Sequence, residues 1–516
     1  MRTKVFILYT GGTIGMGPRD DRDPYSPLEP KTLDKLLSYT PGFDATKEPG
    51  EYKSEEAIRL SKENSSAGRG AAIPFIELDN GNVITFGSAA FEKPVDSSDV
   101  GPKDWKKMAD IIADVYDQYD GFIILHGTDT MAFTSSALSF MFENLGKPVV
   151  ITGSQLPISG LRTDAVLNLV NAIHIAGYQA TDLPLIPEVI IAFADRIIRG
   201  CRASKVSTSD WAGFDSPNFP LLGTIGEHIM VNTNYVREPP ARGKKFFVKS
   251  DFNESVSIQY LFPGFWNERV AKNFADDSIG GYILITYGTG NVPNNPDFLD
   301  TIRKAIDDRK IVVNLSQCSV GTVEMGLYAA SSGLLERGVL SGMDMTLEAA
   351  ITKLMWILGT QWEAGREYAQ MQINQRGEQT ENLFDLRYGG LKDEQAANMY
   401  TKAISPDGRL NRQKISTSML RISDLGVVGV AKGKRTKIHV FMNMPAANHS
   451  TRLTEERRVA TLEFEWNGMP ETRMQNITYK TQNVIGDGDV ILTLVTEAED
   501  VKVYFSGLYV AIYAKA

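Results

Sequence analysis

The tightest constraint in this sequence is an apolar run near its start that breaks off at paired glycines. Val5-Phe6-Ile7-Leu8-Tyr9-Thr10 leads into Gly11-Gly12-Thr13-Ile14-Gly15. A second run of the same kind, Phe122-Ile123-Ile124-Leu125, leads into His126-Gly127-Thr128-Asp129-Thr130. Short apolar runs bounded by turn residues suit strands buried on both faces, as in parallel sheets. Open α/β sheets bind ligands in a crevice at the carboxyl ends of their strands. Glycine there lets the chain turn sharply and approach a ligand with no Cβ in the way. Two hydroxyls, a carboxylate and exposed backbone N–H groups can thus meet in one crevice, which is the equipment of covalent acyl transfer.

The spacing around these runs predicts α/β architecture. Residues 104–119 carry Trp105, Met108, Ile111, Ile112, Val115, Tyr116 and Tyr119 at intervals of three and four, the pattern of an amphipathic helix. Helices are also expected over 134–145 and 164–176, with strands at 122–125, 149–152 and 189–193. Strand–helix–strand alternation implies a parallel sheet with right-handed crossovers. A proline-rich stretch over 216–245 reads as a linker. A second α/β unit follows over 246–390, with strands at 281–286 and 311–315 and helices near 297–308 and 345–358. From residue 401 to 516 the pattern alternates, with strands at 437–442, 460–466, 489–495 and 501–514, and predicts an all-β sandwich. The segment 46–70 reads as a surface insertion. The expected domains are therefore 1–215, 246–390 and 401–516.

Composition excludes several classes of function. A formal net charge of -9 argues against a nucleic-acid partner. No stretch approaches the roughly 20 apolar residues that span a bilayer. The first apolar run is too short for a signal peptide, so a cytoplasmic location is expected. Only Cys201 and Cys318 are present, and the five histidines show no ligand spacing, so neither a disulfide framework nor a metal site is expected. The first glycine loop lacks both the G-x-G-x-x-G fingerprint and the Gly-Lys-Ser/Thr ending of a phosphate loop, and no organic cofactor is implied.

A threonine hydroxyl needs a base before it becomes a nucleophile. Asp129 beside Thr128 is a weak base, and its alternative role is to cap the following helix. Lys205, in Ser204-Lys205 after another expected strand, is the available third group; taken alone it reads sooner as a solvated surface lysine.

Over 1–17, 95–209 and 280–328 the chain resembles the bacterial-type L-asparaginases, especially the cytoplasmic type I branch. The motifs Thr10-Gly11-Gly12-Thr13-Ile14-Gly15 and Leu125-His126-Gly127-Thr128-Asp129-Thr130-Met131 carry the match. Val95-Asp96-Ser97-Ser98-Asp99, Ile151-Thr152-Gly153-Ser154-Gln155, Ser204-Lys205 and Tyr287-Gly288-Thr289-Gly290-Asn291 support it. The resemblance implies Thr13 as nucleophile and Tyr25 as a residue that closes over the site. It implies Thr128, Asp129 and Lys205 as a second catalytic group. Gly12, Asp96, Ser97, Gly127 and Ser154 would bind L-asparagine, with Asn291 supplied by a neighbouring subunit of a homodimer or homotetramer. A broader amidohydrolase acting on glutamine or another small amide, and a non-catalytic amino-acid sensor, are the alternatives. Type I enzymes often hold an effector with a cysteine and an arginine. Cys318 stands at the first position but Ile285 at the second, so little activation by asparagine is expected.

Overall fold

The structure is a computed structural model that describes residues 1–20, 28–30, 39, 51–66, 74–323, 325, 333–334, 337–362, 367–379, 382–404, 415–451, 455–477 and 489–514. Its largest element is a nine-stranded sheet. In spatial order the strands are Ile229–Val231, Gly223–Ile225, Arg196–Arg199, Val189–Phe193, Val149–Thr152, Gly121–Leu125, Arg2–Gly11, Val83–Val95 and Phe75–Glu77. The five from Val189–Phe193 to Val83–Val95 run parallel, and antiparallel strands flank them at both ends.

The first apolar run is buried because it serves both faces. Val5, Ile7 and Tyr9 join Ile123 and Leu125 in one core, while Phe6 and Leu8 join Phe122 and Ile124 in the other. Each such side chain contributes about 1.5–3 kcal/mol when fully buried. Helix Ala165–Ala176 covers the first face, and helices Pro102–Val115 and Met131–Met141 cover the second. Register then decides where the loops emerge. Tyr9 pairs with Leu125 and Gly11 with Val95, so the turns after three neighbouring strands open at one level of the carboxyl edge.

Part of the expected linker belongs to this sheet. Gly223–Ile225 pairs with Arg196–Arg199 and with Ile229–Val231, extending the antiparallel edge. Its prolines flank the hairpin, where they remove no ladder hydrogen bond. The second α/β unit is a four-stranded parallel sheet in the order Val256–Tyr260, Gly281–Thr286, Ile311–Ser316 and Leu340–Ser341. Helices Glu268–Phe274 and Pro296–Asp307 pack on one face and Leu347–Gly359 on the other.

The β-rich region consists of two antiparallel four-stranded sheets. One is ordered Asn382–Leu391, Lys502–Ala514, Ile415–Val428, Glu471–Asn476; the other is Met399–Ile404, Val490–Thr496, Lys434–Met442, Arg458–Trp466. Leu420, Ile422, Val503 and Val510 from the first meet Ile438, Val440, Leu462 and Leu492 from the second in one core. The region begins with Asn382–Leu391, earlier than residue 401, because that strand pairs along Lys502–Ala514. In the stretch read as a surface insertion, Glu55–Ser66 forms a helix that buries Ala57 and Leu60 against Phe75 and Val83. No helix among the described residues is long and apolar enough to cross a membrane.

Candidate active site

At the carboxyl edge of the large sheet, two glycine turns touch backbone to backbone. Gly12 has a φ of 86°, a left-handed conformation that side chains disfavour. A Cβ on Gly12 would lie 2.3 Å from the Gly127 nitrogen, and one on Gly127 would lie 2.5 Å from Ser97 Oγ. Glycine is thus required twice by space and once also by conformation. The close approach places Thr13, in the short 3-10 turn Thr13–Gly15, beside the His126-Gly127-Thr128 turn.

Lys205 draws the second group together. Its amine donates to Thr128 Oγ1 at 3.0 Å and to Asp129 Oδ1 at 2.6 Å. The lysine side chain is 20% exposed and the aspartate 62%, so the amine is sheltered while the carboxylate faces solvent. Lys205 reaches this edge from the two-residue strand Ser204–Lys205, which pairs with Phe214–Asp215. Beneath it, Ser204 Oγ donates to Glu348 Oε1 at 2.7 Å, a contact from the second α/β unit.

The third turn supplies Ser97 and Asp96. Ser97 Oγ accepts from the Asp129 backbone N–H at 3.2 Å, and Thr130 Oγ1 donates to the Ser97 carbonyl at 2.5 Å. Asp96 accepts from the Ser98 N–H and hydroxyl, both at 2.9 Å and both on Oδ1. The Ser98 N–H, followed by its hydroxyl, holds the Asp96 carboxyl below the usual range. Ser154 is buried at the end of Val149–Thr152, and its hydroxyl donates to the Leu156 carbonyl at 2.6 Å. Asn291 lies in the second α/β unit, bridged to Tyr287 across a tight turn, and its Oδ1 is buried without a hydrogen-bond partner. Tyr25 lies outside the described residues.

Sequence reasoning missed the support behind the second turn. His126 is fully buried; its Nδ1 is 2.6 Å from the Gly127 carbonyl and its Nε2 is 3.0 Å from Thr134 Oγ1. Trp105 Nε1 donates to the same hydroxyl at 3.0 Å. The chain is satisfied when His126 is neutral with its proton on Nδ1, which donates to the Gly127 carbonyl. Burial pushes the imidazole pKa down to about 4. The only signal in the sequence was the adjacency of His126 to Gly127. Cys201 is buried, its thiol pushed up to about 12 by burial, and so is chemically inert. Among the described residues no group of three or more His, Cys, Asp or Glu side chains could hold a metal ion.

Two family models match this chain: the N-terminal asparaginase domain over residues 4–237, and the C-terminal glutaminase/asparaginase domain over residues 255–370. L-asparaginase 1 of Escherichia coli (strain K12) is 37% identical over 379 residues, covering 73% of this chain and 98% of that protein. The human 60 kDa lysophospholipase is 36% identical over 358 residues, covering 69% of this chain and 58% of that protein. The crystal structure of L-asparaginase I from Vibrio cholerae superposes with a TM-score of 0.60 at 37% identity, covering 74% of this chain and 100% of that one. With both halves of the α/β core matched and the glycine turns in contact above it, the chain belongs to the asparaginase family of amidohydrolases.

Proposed function

We propose that this protein hydrolyses L-asparagine to L-aspartate and ammonia through a threonine-linked acyl-enzyme. The observation that carries the reading is the Lys205 amine held between Thr128 Oγ1 and Asp129 Oδ1, next to the turn that bears Thr13. Thr13 Oγ attacks the carboxamide carbon, and its proton is delivered to the departing nitrogen so that ammonia leaves. Water activated by the Thr128–Lys205–Asp129 group then adds to the ester, releasing aspartate and restoring the Thr13 hydroxyl. Backbone N–H groups of Thr128 and Ser154 face the oxyanion, each supplying about 3–4 kcal/mol when well placed. The family resemblance also assigns Tyr25 a part in proton transfer.

Asparagine carries an ammonium and a carboxylate on one carbon, so its site needs an acceptor beside donors. In this reading Asp96 takes the ammonium through Oδ2, since both of its hydrogen bonds fall on Oδ1. Asp129 contributes further acceptor oxygens, and Ser97 and the backbone at Gly12 and Gly127 face the carboxylate. The family resemblance offers Asn291 to the site of another copy, in a cytoplasmic homodimer or homotetramer.

Ammonia release from L-asparagine, L-glutamine and D-asparagine, measured side by side, tests the substrate. Asparagine should lead; a higher kcat/KM for glutamine would move the reading to a broader amidohydrolase. Thr13→Ala and Thr128→Ala should each abolish turnover with folding intact, and wild-type rates in either would remove the mechanism.

A further inference from the structure

We infer that Glu348 is a positioning residue for the Lys205 amine, acting from the second α/β unit through the Ser204 hydroxyl. The inference rests on the amidohydrolase reading above, in which Lys205 serves proton transfer.

Glu348 is the second residue of helix Leu347–Gly359, whose N-terminus is capped by the Thr346 hydroxyl on the Ala349 N–H at 3.2 Å. The glutamate is 9% exposed. One oxygen receives the Ser204 hydroxyl at 2.7 Å, while Oε2 is buried and makes no hydrogen bond. Burial pushes this carboxyl above its usual range, while the Ser204 hydroxyl first, then its own backbone N–H, the Thr346 hydroxyl and the Lys205 backbone N–H, pull the other way. A buried polar group left half-satisfied carries a cost, and the bond that Glu348 does make secures a neighbour.

What it secures is the strand next to it. Among the described residues Ser204–Lys205 pairs with Phe214–Asp215, and the hairpin continues with the Val206 N–H on the Gly213 carbonyl at 2.9 Å, a short ladder that fixes little by itself. Lys205 must nevertheless hold its amine on two oxygens belonging to another turn, Thr128 Oγ1 and Asp129 Oδ1. The Ser204–Glu348 bond anchors the residue immediately before Lys205 to a helix of the other unit. That helix is itself clamped to the chain beyond it: Lys353 pairs with Glu378 at 2.6 Å and donates to the Met371 and Ile373 carbonyls. A continuous set of contacts therefore runs from the second unit to the amine.

Misplacing a catalytic group by about 1 Å can cost around 100-fold in rate. Ser204→Ala and Glu348→Ala should each lower kcat on asparagine at least about 10-fold with KM within about twofold. The double variant should be no worse than Glu348→Ala, because the Ser204 hydroxyl acts through the Glu348 carboxyl. Glu348→Gln keeps a carbonyl oxygen for the Ser204 hydroxyl and should recover most of the rate. A merely structural role would lower thermal stability without this split or this rescue. As an activity-independent readout, the Lys205 amine is ¹³C-methylated and observed by NMR, its signal assigned by its loss in Lys205→Arg. Its chemical shift should move in Ser204→Ala and Glu348→Ala and stay nearer wild type in Glu348→Gln. An unmoved signal in the alanine variants, or additive losses in the double variant, would overturn the inference. If Lys205→Met abolishes turnover while Ser204→Ala leaves kcat intact, only the inference fails; if Lys205→Met retains wild-type turnover, the amidohydrolase reading fails.

Discussion

A Cβ atom on Gly12 would stand 2.3 Å from the amide nitrogen of Gly127, so the first and fourth strands of the large sheet to be made in sequence meet at their tips with no side chain between them. Contact this close sets the distance between Thr13 and the Thr128 group. Gly12→Ala must either push the turns apart or distort a left-handed backbone, each at a cost of about 1–3 kcal/mol. We expect a kcat loss of about 100-fold or more, with a circular dichroism spectrum like that of the wild type. Gly127→Ala should do the same by displacing Ser97. Near-normal turnover in Gly12→Ala would show that the turns need not touch.

Among the described residues, Lys205 is the cation that bridges the Thr128 hydroxyl and the Asp129 carboxylate. Lys205→Met should reduce kcat by about 10²–10⁴-fold, the usual range for losing a proton-transfer group, with a smaller effect on KM. Lys205→Arg keeps the charge but replaces a compact ammonium by a planar fork, and should not restore the rate. Steady-state ammonia release checks both.

His126 gives the fold an acid-sensitive point. Its imidazole titrates near 4 in the folded chain against 6.5 ordinarily, so the unfolded chain binds the proton first. Its contribution is complete above about pH 6.5 and is lost as pH falls toward 4, amounting to about 3 kcal/mol in all. Urea unfolding between pH 7 and 4 should show this loss, and His126→Gln should flatten it. An unchanged slope in the variant would place the acid sensitivity elsewhere.

The Lys353–Glu378 pair is fully buried, and Glu378 also accepts the backbone N–H groups of Gln375 and Arg376. Lys353→Met should destabilise the second unit by about 3–5 kcal/mol, because it leaves a buried carboxylate without its cation. Adding Glu378→Leu should recover only part of this, since two N–H groups then lose their acceptor. Chemical unfolding of the single and double variants measures both terms.

The strands and the edge on which the site sits were legible because paired glycines end apolar runs abruptly. The helix expected over 104–119 instead ends at Val115 and closes as a tight turn over Tyr116–Gln118. Tyr116 is drawn aside to stack on Phe122 and Phe246, with ring centroids 5.6 and 3.8 Å away, and its hydroxyl accepts the Gly146 N–H. Tertiary packing overrode local periodicity there. Thr128, Asp129 and Lys205 were named in the sequence, and the structure brings them together. Glu348 was not, because no local pattern ties it to a serine 144 positions earlier. The proline-rich stretch hid a hairpin for a related reason: its pairing partner, Arg196–Arg199, lies outside the window that composition samples.

The strand that opens the β-rich region, Asn382–Leu391, is a hydrogen-bonded neighbour of the strand that closes it, Lys502–Ala514. The chain thus enters and leaves this module along a single seam. Trimming it from any point inside would orphan the opening strand and bare a ribbon of N–H and C=O groups that templates clumping. Excision has a clean place only upstream of Asn382, where the whole module lifts away with its own ladder intact.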